Sequence, residues 1–143
     1  KKVIPPTVGA VMELLRATGE NLTDKKTLVI GKSNIFIAGL EKYLKAELSI
    51  KKIKVENQIP KNSTDYDIII IALGQAKILQ KEQVKTGAII IDVGINKVDG
   101  QTVGDIDEGA YEKAGFFSPV PGGVGPLTVA CLLRNTYKLA KIN

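Results

Sequence analysis

The segment TLVIGKSN, residues 27–34, is the part of the chain that decides the fold. Residues 27–30 form a short apolar run typical of a β-strand, and residues 31–34 form a polar turn that leads into a helical pattern over residues 35–47. A strand, a glycine turn and a helix in this order are typical of a βαβ unit. The segment therefore predicts an α/β fold with a parallel sheet.

The rest of the chain alternates between strand and helix patterns around this unit. Further parallel strands are predicted at residues 52–56, 67–73, 88–93 and 116–118, and the Asp99-Gly100 pair predicts a β-hairpin over residues 95–103. Helices are predicted after a cap at Thr7, over residues 108–113 after a cap at Asp107, and from Pro126 at the first helical position to about Lys141. We expect one doubly wound, mostly parallel, Rossmann-like domain over residues 1–143.

Composition limits the chemistry that this chain can perform. The 143 residues include no histidine and one cysteine, Cys131, which excludes an internal disulfide, a Cys/His zinc site and a histidine base. The formal charge of +5 favours anionic ligands. Basic and aromatic residues are not interleaved as in single-strand binders, so we interpret the lysines as a solvated surface and expect no nucleic-acid partner.

The apolar runs and the first residues of the chain indicate the cellular compartment. No apolar run approaches the roughly 20 residues of a membrane span, and the first residues, Lys1-Lys2-Val3, show no signal-peptide pattern. We therefore expect a cytoplasmic protein without a membrane partner. The first residue is not Met, so the chain is expected to be an excerpt or a processed product.

Candidate ligand-binding residues follow the predicted strands, because ligands of parallel sheets bind at the carboxyl ends of the strands. The backbone N–H groups of Gly31, Lys32 and Ser33 could hold a phosphate, with charge from Lys32 and a hydroxyl donor from Ser33. The turn is neither G-x-G-x-x-G nor a P-loop, so a purely local strand-to-helix turn stays possible. Glu56 ends the next strand, where dinucleotide-binding domains often keep an acidic residue for the ribose; an exposed strand end is the alternative.

The segment SPVPGGVGPLT, residues 118–128, is the most specific part of the chain. Its prolines stiffen the backbone, and its three glycines permit close approach to a flat ligand. A simple turn would not need so many special residues. The segment predicts a ligand contact at the end of a strand.

These motifs resemble the nucleotide-binding domain of the bifunctional methylenetetrahydrofolate dehydrogenase/methenyltetrahydrofolate cyclohydrolase family. The segments that carry the resemblance are PVPGGVGPLT (119–128), IDVGIN (91–96), VGDI (103–106), GKSNI (31–35) and IPPT (4–7). They occur in the order of the family and cover almost the whole chain.

The resemblance implies a domain that binds NADP or NAD and presents the nicotinamide to a tetrahydrofolate derivative. It implies that Gly31, Lys32 and Ser33 hold the phosphates, that Ile95 contacts the cofactor and that Thr7 lies near the nicotinamide. The backbone of Pro121, Gly122, Gly123 and Val124 would face the folate. It also implies a homodimer with contacts at the edge of the sheet. We expect no metal site in this chain.

The reactions implied are oxidation of 5,10-methylenetetrahydrofolate to 5,10-methenyltetrahydrofolate and hydrolysis of the latter to 10-formyltetrahydrofolate. In the family a preceding folate-binding domain carries the lysine of a Tyr-x-x-x-Lys motif, and that domain is absent from these residues. We therefore assign no catalytic residue to this chain and expect it to be inactive alone. Two alternatives stay open. The chain could be a free-standing domain that binds a nucleotide but catalyses nothing, or completes a site only with a partner chain; or it could be a degenerate scaffold whose altered turn binds no cofactor.

The chain departs from the family at two places. Residues 36–39, FIAG, stand where the family usually has Val-Gly-x-Pro, which puts bulk where a glycine normally permits close approach of helix and ligand. Val55-Glu56-Asn57 stands in place of a Cys-His-Ser stretch whose serine can contact the phosphate of NADP. A carboxylate at this position suits NAD better than NADP. The family has a Gly-Arg-Ser turn where this chain has Gly31-Lys32-Ser33; lysine keeps the positive charge but cannot form the paired contacts of arginine, so any contact with the 2′-phosphate should be weaker.

Overall fold

A computed structural model describes residues 3–141 of the chain. The α-helices are α1 (Pro6–Ala17), α2 (Asn34–Leu48) and α3 (Val124–Ala140). The strands are β1 (Thr27–Gly31), β2 (Ile53–Glu56), β3 (Ile68–Ala72), β4 (Ile89–Asp92), β5 (Asn96–Val98), β6 (Gln101–Val103) and β7 (Phe116–Phe117). Short 3₁₀ helices span Ser63–Asp65, Lys81–Gln83 and Glu108–Glu112. No helix within residues 3–141 is long and apolar enough to cross a membrane.

Five strands form a parallel sheet in the order β2-β1-β3-β4-β7, and β5 and β6 form a separate antiparallel hairpin. From β1 the chain proceeds to β2 at one edge of the sheet, whereas β3, β4 and β7 follow one another towards the other edge. Between β1 and β3 the order of the sheet therefore reverses, and α/β sheets bind ligands at the carboxyl ends of the strands beside such a reversal.

The two faces of the sheet have different covers. One face packs against all three α-helices, and its buried side chains include Val29, Ile70 and Ile91. The other face, with Leu28, Ile69 and Ile90, is covered by the segments that carry the 3₁₀ helices. Connections between parallel strands are right-handed. Connections that lead away from the reversal in opposite directions along the sheet therefore lie on opposite faces of it. The α/β fold and the parallel sheet predicted from the sequence are thus confirmed.

The predicted starts of α1 and α3 are wrong. Helix α1 begins one residue before Thr7, with Pro5 as its N-cap and Pro6 in the first turn, because the fixed φ of proline suits that turn. Helix α3 begins at Val124 after Gly123, which puts Pro126 at the third helical position, where the backbone N–H has no partner within the helix in any case.

The segment predicted as a helix over residues 108–113 is the 3₁₀ helix Glu108–Glu112. The predicted cap is present, because the Asp107 carboxylate accepts the N–H of Gly109 at 3.0 Å. The segment stays short because the chain returns to the sheet at once: a Cβ on Gly115 would lie 2.7 Å from the carbonyl oxygen of Gly87. Only a glycine permits this close approach of the two backbones.

Candidate functional site

A mostly apolar cavity of about 420 Å³ lies at the carboxyl end of β4. Most of its wall comes from residues 119–126, which comprise the segment before α3 and the first residues of α3 and are called the glycine-proline loop below. The remaining wall comes from Thr7 at the start of α1, Asp92 and Val93 at the end of β4, Ile95, Thr102 on the hairpin, and Thr128 on α3. A wall of glycine backbone, prolines and branched side chains offers a flat apolar ligand a shallow, close-fitting surface.

The glycine-proline loop is held to the sheet at its start. The N–H of Ser118 donates to the carbonyl of Ile90 at 3.1 Å, and the Ser118 hydroxyl accepts the N–H of Asp92 at 2.8 Å. The loop is also folded tightly on itself: a Cβ on Gly123 would lie 2.5 Å from the carbonyl oxygen of Pro119. The positions of the loop atoms that line the cavity are therefore fixed by backbone contacts.

The structure brings the six residues predicted around the nicotinamide and folate together in this cavity. Thr7, Ile95, Pro121, Gly122, Gly123 and Val124 all line it. Ile95 is 64% exposed although it is a large apolar side chain, and its contact with water is unfavourable. Thr102 also lines the cavity and is not among the predicted site residues, since its placement depends on the fold of the hairpin.

A second, polar cavity of about 390 Å³ lies at the carboxyl ends of β1 and β2. It is lined by Gly31, Lys32, Asn34, Ile37, Val55, Glu56 and Asn57. Glu56 is the register partner of Ile30, the residue before Gly31, so the acidic residue lies beside the glycine turn as predicted from the sequence. The ammonium group of Lys32, the carboxylate of Glu56 and the side-chain amides of two asparagines thus line the same cavity.

Ser33 does not line the polar cavity and instead caps α2. Its hydroxyl oxygen accepts the N–H of Phe36 at 3.3 Å, and this leaves the hydroxyl hydrogen free to be donated to a ligand. The cap starts a helix of 15 residues, whose N-terminus favours an anion. The turn therefore has a local structural role, and it also retains the features expected of a phosphate site.

The bulk predicted at residues 36–39 is divided between the core and the cavity. Phe36 is partly buried and packs against the core formed with the α-helices, and Ile37 is a buried member of that core that also lines the polar cavity and contacts the glycine turn. A Cβ on Gly31 would lie 3.4 Å from Cδ1 of Ile37. Ile37 therefore fills the space beside Gly31 and leaves Lys32 and Asn34 at the opening.

Two buried aspartates connect the loops around the cavities. The Asp92 carboxylate accepts the backbone N–H groups of Gly94, Asp105 and Ile106 at 2.9–3.1 Å. The Asp105 carboxylate accepts the N–H groups of Leu73, Gly74 and Gln75 at 2.7–3.1 Å and the side-chain amide of Asn96 at 3.0 Å. The pair therefore ties the loop after β3 to the loop after β4 and to the hairpin.

Two glycines make this arrangement possible. A Cβ on Gly94 would lie 2.1 Å from the carboxylate of Asp105, and a Cβ on Gly104 would lie 1.9 Å from the carboxylate of Asp92. Neither space can hold a side chain. Asp92 thus anchors the loop that follows β4, and the role of Asp105 was not predicted from the sequence.

The protonation of Asp92 reflects its surroundings. Burial raises the pKa of this carboxyl to about 6, and the negative charge of Asp105 adds to the rise, while the N–H groups of Ile106, Asp105 and Gly94 oppose it by stabilising the charged form. No group of three or more His, Cys, Asp or Glu side chains within residues 3–141 is placed to hold a metal ion.

The sheet reversal, the capped glycine turn and the two cavities define an α/β domain of the nucleotide-binding class. Comparison with known proteins identifies the family. The family model described as tetrahydrofolate dehydrogenase/cyclohydrolase, NAD(P)-binding domain, matches residues 5–143. The chain belongs to this family.

Among curated relatives, the bifunctional protein FolD of Bacillus pumilus is 42% identical over 96% of this chain, and that of Bacillus subtilis is 40% identical over the same share. The chain spans about half the length of these relatives. The bifunctional FolD methylenetetrahydrofolate dehydrogenase/cyclohydrolase of Campylobacter jejuni is a similar solved structure, with a TM-score of 0.86 and 39% identity. The match covers 96% of this chain and 50% of the Campylobacter jejuni chain.

The Trypanosoma brucei methylenetetrahydrofolate dehydrogenase-cyclohydrolase, solved in complex with NADP and an inhibitor, superposes with a TM-score of 0.82 at 34% identity. The match covers 96% of this chain and 50% of that one.

Asp105→Asn should destabilise the domain by about 2–4 kcal/mol, because an amide group would face N–H donors that now meet a carboxylate oxygen. Urea denaturation measures this loss. Asp99→Asn is the matched control, since Asp99 is exposed in the hairpin turn and asparagine tolerates its φ of 51°. Equal stability of Asp105→Asn and the unsubstituted chain would contradict the role given to Asp105.

Asp92 should titrate near pH 6 in the folded chain, which site-resolved carbon NMR of the carboxyl group can measure. Because its folded pKa lies above the unfolded value, the folded state binds the proton more tightly, and the contribution of Asp92 to the unfolding free energy falls as pH rises from about 4 to about 6. The fall is at most about 3 kcal/mol. A midpoint below about pH 4.5 would contradict this environment for Asp92.

Proposed function

We propose that this chain is the nicotinamide-cofactor-binding half of a methylenetetrahydrofolate dehydrogenase/methenyltetrahydrofolate cyclohydrolase. The observation that carries the proposal is the pair of cavities on either side of the sheet reversal, one polar and one apolar, at the same edge of the sheet. A dinucleotide has the matching construction, with a charged adenosine diphosphate part and a flat nicotinamide ring.

The residues present fit such a cofactor. The N-terminus of α2, Lys32 and the Ser33 hydroxyl supply positive potential and donors for a diphosphate beside the polar cavity. The apolar cavity, with Thr7 and Ile95, accepts a flat ring against glycine backbone. The Trypanosoma brucei relative is described in complex with NADP, which supports the same class of cofactor here.

The contribution of this chain to the reaction is positioning. When bound, the nicotinamide accepts or returns a hydride, and this chemistry belongs to the cofactor. The glycine-proline loop would set the plane of the ring, and the fixed backbone at Gly122 and Gly123 would keep the opposite face open towards the folate. The hydrolytic step is proposed to depend on groups of the other half of the longer protein.

An apolar stripe on α3 supports the proposal that a second domain packs here. Val129, Leu132, Leu133 and Tyr137 recur at helical spacing on the side of α3 turned away from α1, and they are 53–65% exposed. Exposed apolar side chains that form one patch usually mark an interface. We propose that the folate-binding half, which the relatives' length leaves room for, covers this stripe.

Two further features of the expected protein are proposals. Phe116 and Phe117 are exposed on β7 at the edge of the sheet, which supports the homodimer implied by the family resemblance. Cys131 is a free thiol and no disulfide is needed for the fold, which supports a reducing compartment such as the cytoplasm.

Calorimetric titration of the chain with NAD and, separately, with NADP tests the cofactor assignment. We expect at least one to bind, and we expect Lys32→Gln to weaken the binding of both by about five- to tenfold through loss of a charged phosphate contact. Lys61→Gln removes an equivalent exposed charge outside the cavities and is the control. Absence of binding at millimolar cofactor, or equal effects of the two substitutions, would contradict the assignment.

The chain alone should bind cofactor without oxidising methylenetetrahydrofolate, because it supplies no folate-binding half. Formation of reduced cofactor, followed by its absorbance, measures turnover, and the Campylobacter jejuni enzyme named above is the positive control for the assay. Turnover by the 143 residues alone would overturn the proposed division of labour.

A further inference from the structure

The apolar cavity has negative charge at one part of its wall. Asp92 contributes to that wall at the end of β4, and its side chain is fully buried. Asp105 is also fully buried, and its backbone N–H donates to the Asp92 carboxylate at 3.1 Å. Within residues 3–141, neither carboxylate has an ion-pair partner within 4.0 Å. A ligand in the cavity therefore meets negative charge that no side-chain cation of these residues offsets.

Two helix ends supply positive potential to the same cavity. Helix α1 begins beside Thr7 and α3 begins at Val124, and both of these residues line the cavity. Each helix N-terminus is equivalent to about half a positive charge. The two ends together therefore offset about one of the two carboxylate charges, and the net charge around the cavity stays negative while Asp92 is ionised.

The other titratable side chains that face this region come from three neighbouring segments. They are Asp105 on the loop after β6, Asp107, Glu108 and Tyr111 on the 3₁₀ segment, and Lys97 on the hairpin. Burial and the charge of Asp92 raise the pKa of the Tyr111 hydroxyl above its ordinary value of 10.0, so this group is neutral at neutral pH. Lys97 is exposed and donates to the Thr102 hydroxyl at 2.8 Å, so water screens its charge more than that of the buried carboxylates. Among the described residues that line the cavity, Asp92 is the one titratable side chain.

The two redox forms of a nicotinamide cofactor differ in charge at the ring. The oxidised ring carries one positive charge, and addition of a hydride makes the ring neutral. The remainder of the molecule, including its phosphates, is the same in both forms. A cavity with net negative charge therefore attracts the oxidised ring more strongly than the reduced ring.

Resting on the proposed function, we infer that the apolar cavity distinguishes the redox state of the cofactor and that Asp92, together with Asp105, makes it favour the oxidised form. The preference acts at the nicotinamide ring, so it applies to NAD and NADP alike. The reduced ring is held less tightly once it has formed, which assists release of the reduced cofactor.

The charge of Asp92 can be removed without a substitution. Protonation below its pKa of about 6 neutralises the carboxylate. Because a cationic ring stabilises the carboxylate, the oxidised cofactor should bind more tightly as the pH rises through about 6, whereas the neutral reduced ring gains nothing. By the reciprocity of linked equilibria, the oxidised cofactor should also lower the pKa of Asp92. Titration of the cofactor phosphates affects both forms and cancels in the ratio of their dissociation constants.

Calorimetric dissociation constants for the oxidised and the reduced form of NAD and of NADP, measured at about pH 8 and about pH 5, test this inference. Since reduced nicotinamide decomposes in acid, its neutral and acid-stable tetrahydronicotinamide analogue is used as the reduced form. The chain should bind the oxidised form about three- to tenfold more tightly at about pH 8, and this ratio should fall to within about twofold at about pH 5.

Carbon NMR of the Asp92 carboxyl group gives the reciprocal measurement. The titration midpoint of Asp92 should be lower with the oxidised cofactor than with the reduced analogue, by about half a pH unit to about one pH unit. A residue with only a structural role would give the same midpoint with both forms.

Asp92→Asn should abolish both the preference and its pH dependence, and circular dichroism verifies that the variant keeps the fold. If it does not fold, the pH series on the unsubstituted chain decides the question by itself. Glu112→Gln is the matched control and should leave the ratio unchanged, since Glu112 is an exposed carboxylate outside both cavities. Equal binding of the two forms at about pH 8, or the same ratio at both pH values, overturns the inference and leaves the proposed function standing. Binding of neither form overturns both.

Discussion

The site depends on two buried carboxylates that have no ion-pair partner among residues 3–141. Asp92 and Asp105 are both fully buried, and each is surrounded by N–H donors from the loops at the carboxyl edge of the sheet. Removing a charge from water is costly, and these hydrogen bonds offset the cost only while every loop keeps its place. The electrostatic requirement of the two aspartates therefore fixes the positions of the loops after β3 and β4 and of the hairpin.

The sequence predicts the sheet well because the signal is local. Uninterrupted isoleucine runs indicate strands buried on both faces, and β3 and β4 lie where these runs are found. Helix boundaries were less predictable. Thr7 is the second residue of α1, which begins at Pro6, and Pro126 is the third residue of α3, which begins at Val124. The 3₁₀ helix at Glu108–Glu112 depends on the contact between Gly115 and Gly87, and residues so far apart in sequence leave no periodic signal.

In the candidate site, too, local sequence patterns were predictable and contacts between distant residues were not. The glycine turn and the glycine-proline loop could be recognised from sequence, because special residues are concentrated in a few consecutive positions. The role of Asp105 could not, since its carboxylate binds N–H groups 30–32 residues earlier in the chain. Ser33 illustrates a further difficulty: the residue type that binds a phosphate is also the one that caps a helix, and only the structure shows that its hydroxyl oxygen accepts the N–H of Phe36.

The close packing of α1 on α3 places the only sulfhydryl of the chain in a protected position. Cys131 is 4% exposed, and a Cβ on Gly9 would lie 3.2 Å from its sulfur. An alkylating reagent can reach this thiol only when the two helices separate locally, so its rate of modification measures the frequency of that opening. The native chain thus contains its own chemical reporter of α3 dynamics, and a cysteine introduced elsewhere could be labelled with little background.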